Sequence, residues 1–117
     1  IETIKNKLIE LSDKNINLII TTGGTGFSKR DVTPEATIAV CDRMAYGISE
    51  AIRSYSMTIT KRAMLSRGVS GIRKNSVIIN LPGSLKAVTE SLDVFMDIIG
   101  HGIGVLVGND KECGNIK

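Results

Sequence analysis

A short apolar run that empties into a glycine loop constrains this chain more than any other feature. Residues 16–20 read INLII, β-branched and nearly continuous in apolar character, as in a strand buried on both faces of a parallel sheet. Three glycines follow closely: Gly23, Gly24 and Gly26. Thr33 then stands where a helix N-cap belongs, with Pro34 at the first helical position. The order is strand, glycine loop, charged loop, helix. In an open α/β sheet with this order, ligands bind at the carboxyl ends of the strands. Glycines there let backbone N–H groups approach phosphate oxygens, because no Cβ intervenes.

Two phosphate-binding patterns are excluded. A P-loop needs GxxxxGK[ST], and no lysine stands at the required place. The dinucleotide fingerprint needs a third glycine, but Gly24-Thr25-Gly26 runs on into Phe27, Ser28 and Lys29. The glycines alone suit a tight turn as well as a phosphate cradle. The adjacent pair Arg30-Asp31 favours the cradle, as a cation for phosphate beside a carboxylate for magnesium. An exposed surface ion pair is the plain alternative.

The segment GGTGFSKRDVTPEAT (residues 23–37) resembles the molybdenum cofactor biosynthesis family. That family includes bacterial molybdopterin adenylyltransferases, the gephyrin G domain and its plant counterpart. A second, independent match is AMLSRGVSGIRKNSVIINLPGS (63–84), followed by AVTESL (87–92). The resemblance implies a three-layer α/β fold of the molybdopterin-binding type, with a mostly parallel sheet flanked by helices. It implies one molybdopterin- and nucleotide-binding domain over residues 1–108 and a polar tail over 109–117. The family pattern also places a strand and an aspartate-bearing glycine loop ahead of the part matching the first residues here. On that basis the N-terminal strand is expected to be missing, and a polypeptide starting at Ile1 is expected to fold weakly.

Net charge is +3, from 15 Lys+Arg and 12 Asp+Glu, too mild for a nucleic-acid binder. Arg30, Arg67, Arg73 and Lys74 instead suit a small anionic ligand. Cys41 and Cys113 form no CxxC pair and have no zinc spacing, so both are expected as free thiols in a reducing cytosol. No uninterrupted apolar run is long enough to span a bilayer.

Helical spacing of Ile4, Leu8, Ile9 and Leu11 predicts an amphipathic helix over residues 2–13. A strand at 18–21 follows, then helices over 34–45 and 48–57, broken at Gly47. Residues 60–65 read as a short helical turn. Strands at 69–72 and 77–81 flank the polar turn 73–76. Ser84 can cap a helix over 85–99, with Val88, Leu92, Phe95 and Met96 inward. Residues 100–108 (GHGIGVLVG) are too rich in glycine for an ordinary helix and read as a loop or altered helix. Two buried strands each ending in a small-residue loop place residues 23–26 and 82–84 at one sheet edge.

The family reaction is transfer of AMP from ATP to molybdopterin, which needs Mg2+ and no activated side-chain nucleophile. His101 is the only histidine, and no Ser-His-Asp set is visible. The resemblance assigns Asp31 to the metal and, with Arg30, to catalysis. It assigns Gly23, Gly24, Thr25 and Gly26 to the nucleotide phosphates. Ser66 and Arg67 fall on the pterin side, and Pro82, Gly83 and Ser84 on a second loop framing the nucleotide. It further implies a homotrimer and a molybdate-inserting partner protein. A binding module without turnover, or a trimeric scaffold, remains the alternative.

Overall fold

The structure is a computed structural model that describes residues 1–108. The expected tail at 109–117, Cys113 included, lies outside the described residues. The elements run α1 (Glu2–Asp13), β1 (Leu18–Thr22), α2 (Thr33–Val40), β2 (Arg43–Met44), α3 (Tyr46–Met57), a 3-10 turn (Lys61–Leu65), β3 (Ser70–Arg73), β4 (Ser76–Leu81) and α4 (Leu85–Leu106).

The sheet order is β1-β4-β3-β2. β4 is buried along its whole length, as its mostly apolar run predicts. Its side chains divide between two cores. Val77, Ile79 and Leu81 pack with Ile52 of α3 and Phe95 and Ile99 of α4. Ile78 packs on the other face with Leu8 of α1, Ile19 of β1 and Val40 of α2. The result is three layers, α1 and α2 on one side of the sheet, α3 and α4 on the other.

The mixed α/β sheet flanked by helices matches the expectation, but its parallel share does not. Among the described residues only β1 and β4 are parallel, in register from Leu18↔Val77 to Thr22↔Leu81. β3 is antiparallel to β4, and β2 to β3. The reason is local. Lys74 and Asn75 alone join β3 to β4, and a connection that short can only reverse the chain. Lys74 takes a left-handed φ of 53°, and its amide donates to Asp42 Oδ2 at 2.7 Å.

The helix expected through residue 45 stops at Val40. The chain then lies along the open edge of β3, where Asp42 N–H donates to Ile72 O and Ala45 N–H to Ser70 O. Unpaired carbonyls of that edge win the segment from the helix. The buried Ser70 hydroxyl donates to Ala45 O at 2.6 Å and accepts from Ser49 N–H at 3.0 Å, fixing the first turn of α3. Gly47 therefore sits inside a helix rather than ending one.

α4 also departs from expectation, continuing through the glycines and His101 to Leu106. Ile103 and Leu106 pack against the Phe95 core, and that burial outweighs the poor helix propensity of glycine. Ser84 caps this helix as expected, accepting from Ala87 N–H at 3.2 Å. Met96, expected inward, is 49% exposed.

Candidate functional site

The carboxyl ends of β1 and β4 lie side by side, because the strands are parallel and in register. Their following loops meet there. Gly23 N–H donates to Leu81 O at 2.9 Å. A Cβ on Gly83 would stand 3.3 Å from the Gly23 Cα, so the two loops touch backbone to backbone. Gly23 and Gly24 adopt positive φ, 86° and 72°. A Cβ on Gly24 would fall 2.2 Å from Thr33 Oγ1. Thr33 is thus the packing partner of the loop, and Val32, not Thr33, occupies the cap position of α2.

Asp31 closes a small turn. Its amide donates to Ser28 O at 2.9 Å, and its Oδ2 accepts from Ser28 N–H at 3.0 Å. The carboxylate lies over Gly26, where a Cβ would come within 2.8 Å of it. Among the described residues, no group of three or more His, Cys, Asp or Glu is placed to hold a metal. Mg2+ is commonly held through one or two carboxylates plus substrate phosphates, and a lone Asp31 is compatible with that mode. The exposed Arg30 guanidinium pairs with no group among the described residues.

Arg67 is placed differently from the expectation. Its Nε donates to Gly26 O at 2.7 Å, Nη2 to Asp31 O at 2.5 Å, and Nη1 to Glu35 Oε2 at 2.5 Å. The guanidinium holds the Glu35 carboxyl below its usual range, chiefly through this hydrogen bond. Arg73 and Lys74 do not reach the site at all. They sit at the amino end of β4, where Arg73 donates to Ser12 Oγ at 2.9 Å and Lys74 pairs with Asp13 at 2.7 Å.

Two concavities flank the touching loops. One, of about 240 Å³, lies between α3 and α4 and is lined by Arg53, Ser66, Asn80, Pro82 and Ser84 among others. The other, of about 450 Å³, lies against α1 and β1 and is lined by Gly23, Gly24, Arg30 and Thr33 among others. Of the sequence-predicted residues, Ser66, Pro82 and Ser84 line the first hollow and Gly23, Gly24 and Arg30 the second, while Thr25, Gly26, Asp31, Arg67 and Gly83 line neither.

Two residues at this edge escaped the sequence reading. Asn80 is 3% exposed and fully bonded. Its Nδ2 donates to Thr21 Oγ1 and Thr37 Oγ1, both at 3.0 Å, and its Oδ1 accepts from Val69 N–H at 3.1 Å. A lone amide within the apolar run VIINL was the available signal, since a buried polar group needs partners. Arg53 donates to Ser66 O at 3.1 Å and Gly68 O at 2.6 Å. Nothing in the sequence around Arg53 distinguished it from a surface cation.

Comparison with known proteins bears on this edge. The family model described as "Probable molybdopterin binding domain" matches residues 1–101. The chain is 45% identical over 112 residues to gephyrin of Dictyostelium discoideum, covering 96% of this chain and 16% of that protein. It is 41% identical over 109 residues to the molybdopterin adenylyltransferase of Helicobacter pylori, covering 92% of this chain and 62% of that one. The Escherichia coli K12 molybdopterin adenylyltransferase is 45% identical over 105 residues, with 86% and 54% covered. The chain thus spans less than two thirds of these curated relatives. Among solved structures, the molybdopterin biosynthesis Mog protein of Mycobacterium ulcerans superposes with a TM-score of 0.87 at 38% identity, covering 90% of this chain and 69% of that one.

Proposed function

This chain belongs to the family of probable molybdopterin binding domains, and from that premise we propose that it forms part of a molybdopterin adenylyltransferase. The reaction transfers AMP from ATP to molybdopterin in molybdenum cofactor biosynthesis. The observation that carries this reading is the contact between the glycine loop and the 82–84 loop, with Arg30 and Asp31 beside it. Relatives bearing that activity in their names, 41% to 48% identical, support it.

In the proposed reaction the terminal phosphate of molybdopterin attacks the α-phosphate of ATP. A new P–O bond forms there, the bond to the β-phosphate breaks, and diphosphate leaves. Both partners are anionic, so the protein's task is to screen repulsion and hold the pair in line. Backbone N–H groups of residues 24–26 are suited to the nucleotide phosphates, while that of Gly23 is already given to Leu81 O. Arg30, with no partner of its own among the described residues, is suited to neutralise them. Asp31 would hold Mg2+, which when bound supplies further charge neutralisation on the phosphates. Ser66, Pro82 and Ser84 line the first hollow, where the Ser66 hydroxyl is suited to the pterin side and the 82–84 loop to the nucleotide. ATP as a substrate favours the cytosol, where Cys41 stays reduced. A homotrimer is proposed on family resemblance, for sedimentation to test, and a molybdate-inserting partner on the same ground.

The test is AMP transfer by the full-length protein, read as diphosphate release with ATP, Mg2+ and molybdopterin. Asp31→Asn keeps the shape and removes the charge, so the rate should fall at least about tenfold with the thermal transition intact. Wild-type turnover in Asp31→Asn removes Asp31 from the mechanism. Binding of both substrates by the wild-type protein without diphosphate release favours the non-catalytic binding module instead.

A further inference from the structure

We propose that Arg67 is a positioning residue that latches the glycine loop around Asp31, and not a contact to either substrate. This rests on the adenylyltransferase reading above. A guanidinium has five N–H donors in one rigid plane. Four side-chain hydrogen bonds engage them here: Nε to Gly26 O, Nη2 to Asp31 O and Glu35 Oε1, and Nη1 to Glu35 Oε2. The Arg67 amide adds a bond to Thr25 O at 2.8 Å. The Gly26 and Asp31 carbonyls are therefore tied to a single flat group, and the Thr25 carbonyl to the backbone of the same residue.

What this fixes is the place of the Asp31 carboxylate. Carboxylate and loop are one unit, since Oδ2 is bonded to Ser28 N–H and lies over Gly26. If the Gly26 and Asp31 carbonyls drift apart, the carboxylate moves with them. Glu35, in the first turn of α2, holds the guanidinium from the helix side. On the other side Arg53 anchors the neighbouring carbonyls Ser66 O and Gly68 O. The wall of one hollow is thus mechanically joined to the turn beside the other. Arg30 differs, with a guanidinium that pairs with no group among the described residues.

Lysine separates the two roles. It keeps the charge, but its compact ammonium has three donors and no planar fork to span these four oxygens on three residues. In the full-length protein, Arg67→Lys should lower kcat for AMP transfer at least about tenfold, with KM for ATP and molybdopterin within about threefold. The Mg2+ concentration for half-maximal rate should rise, and amide hydrogen exchange over residues 25–31 should quicken. An Arg67→Lys protein with wild-type kcat and exchange overturns the latch, as does a KM increase of about tenfold or more with exchange unchanged. Should Arg67→Lys not fold, Glu35→Gln carries the test. It removes the ion pair and should quicken exchange over 25–31 more modestly, while wild-type exchange there overturns the proposal. If the wild-type protein transfers no AMP, the enzymatic reading fails alone, and unchanged exchange in Arg67→Lys still decides against the latch.

Discussion

Gly24→Ala should destabilise the protein, and the structure sets the size. Gly24 holds φ at 72°, where an L side chain costs about 1–2 kcal/mol. The added methyl would also stand 2.2 Å from Thr33 Oγ1 and 3.2 Å from Thr33 Cβ. Thr33 is buried in the first turn of α2, so relief requires moving that helix end, typically about 1–3 kcal/mol. The expected total is about 2–5 kcal/mol, a large share of an ordinary domain's stability. Urea unfolding of the full-length protein measures it, and with a usual slope the midpoint should drop by about 1–3 M. Two companions separate the causes. Gly24→Ala with Thr33→Ala removes the collision and leaves the φ strain, so the pair should be less destabilised than the two single losses added. Gly102→Ala has open space around the new methyl inside α4 and should stabilise by about 0.5–1 kcal/mol. Strict additivity of the double variant would refute the collision with Thr33. A neutral Gly24→Ala would refute both causes at once.

Ser91 is fully buried on α4, and its Oγ is the one buried side-chain polar atom among the described residues without a hydrogen-bond partner. Ser91→Ala should therefore raise stability by about 1 kcal/mol in a thermal melt, since removing an unsatisfied hydroxyl outweighs the small lost volume. The Cys41 thiol is pushed up to about 11 from 9.0, mainly by burial. At neutral pH its thiolate fraction, and hence its iodoacetamide labelling rate, should be about a hundredfold below that of the urea-unfolded protein. The folded state holds this proton more tightly than the unfolded one. Its contribution to stability is thus complete below pH 9.0 and falls as pH rises toward about 11, which alkaline denaturation would register.

Much of the local structure was legible along the chain. α1 matches the amphipathic spacing of Ile4, Leu8 and Leu11 residue for residue. The Ser84 cap, the apolar run of β4 and the tight Lys74-Asn75 turn are likewise short-range features, decided within a few residues of chain. The meeting of the 23–26 and 82–84 loops was also legible. It follows from two strand-then-loop patterns once both strands share one sheet direction.

The tertiary structure alone decided what depends on distant partners. Whether residues 41–45 continue a helix or become β2 turned on the free edge of β3, roughly 30 residues later in the chain. Whether residues 100–106 could stay helical turned on the core that Ile103 and Leu106 join. Four cations looked alike in sequence: Arg30, Arg67, Arg73 and Lys74. Folding leaves Arg30 unpaired among the described residues, gives Arg67 to Glu35 and the glycine loop, and sends Arg73 and Lys74 to Asp13 at the far end of β4. A charge carries no record of its partner in its own neighbourhood. Coulomb attraction and hydrogen bonding act over a few ångströms of space, and only the packed sheet determines which residues come that close.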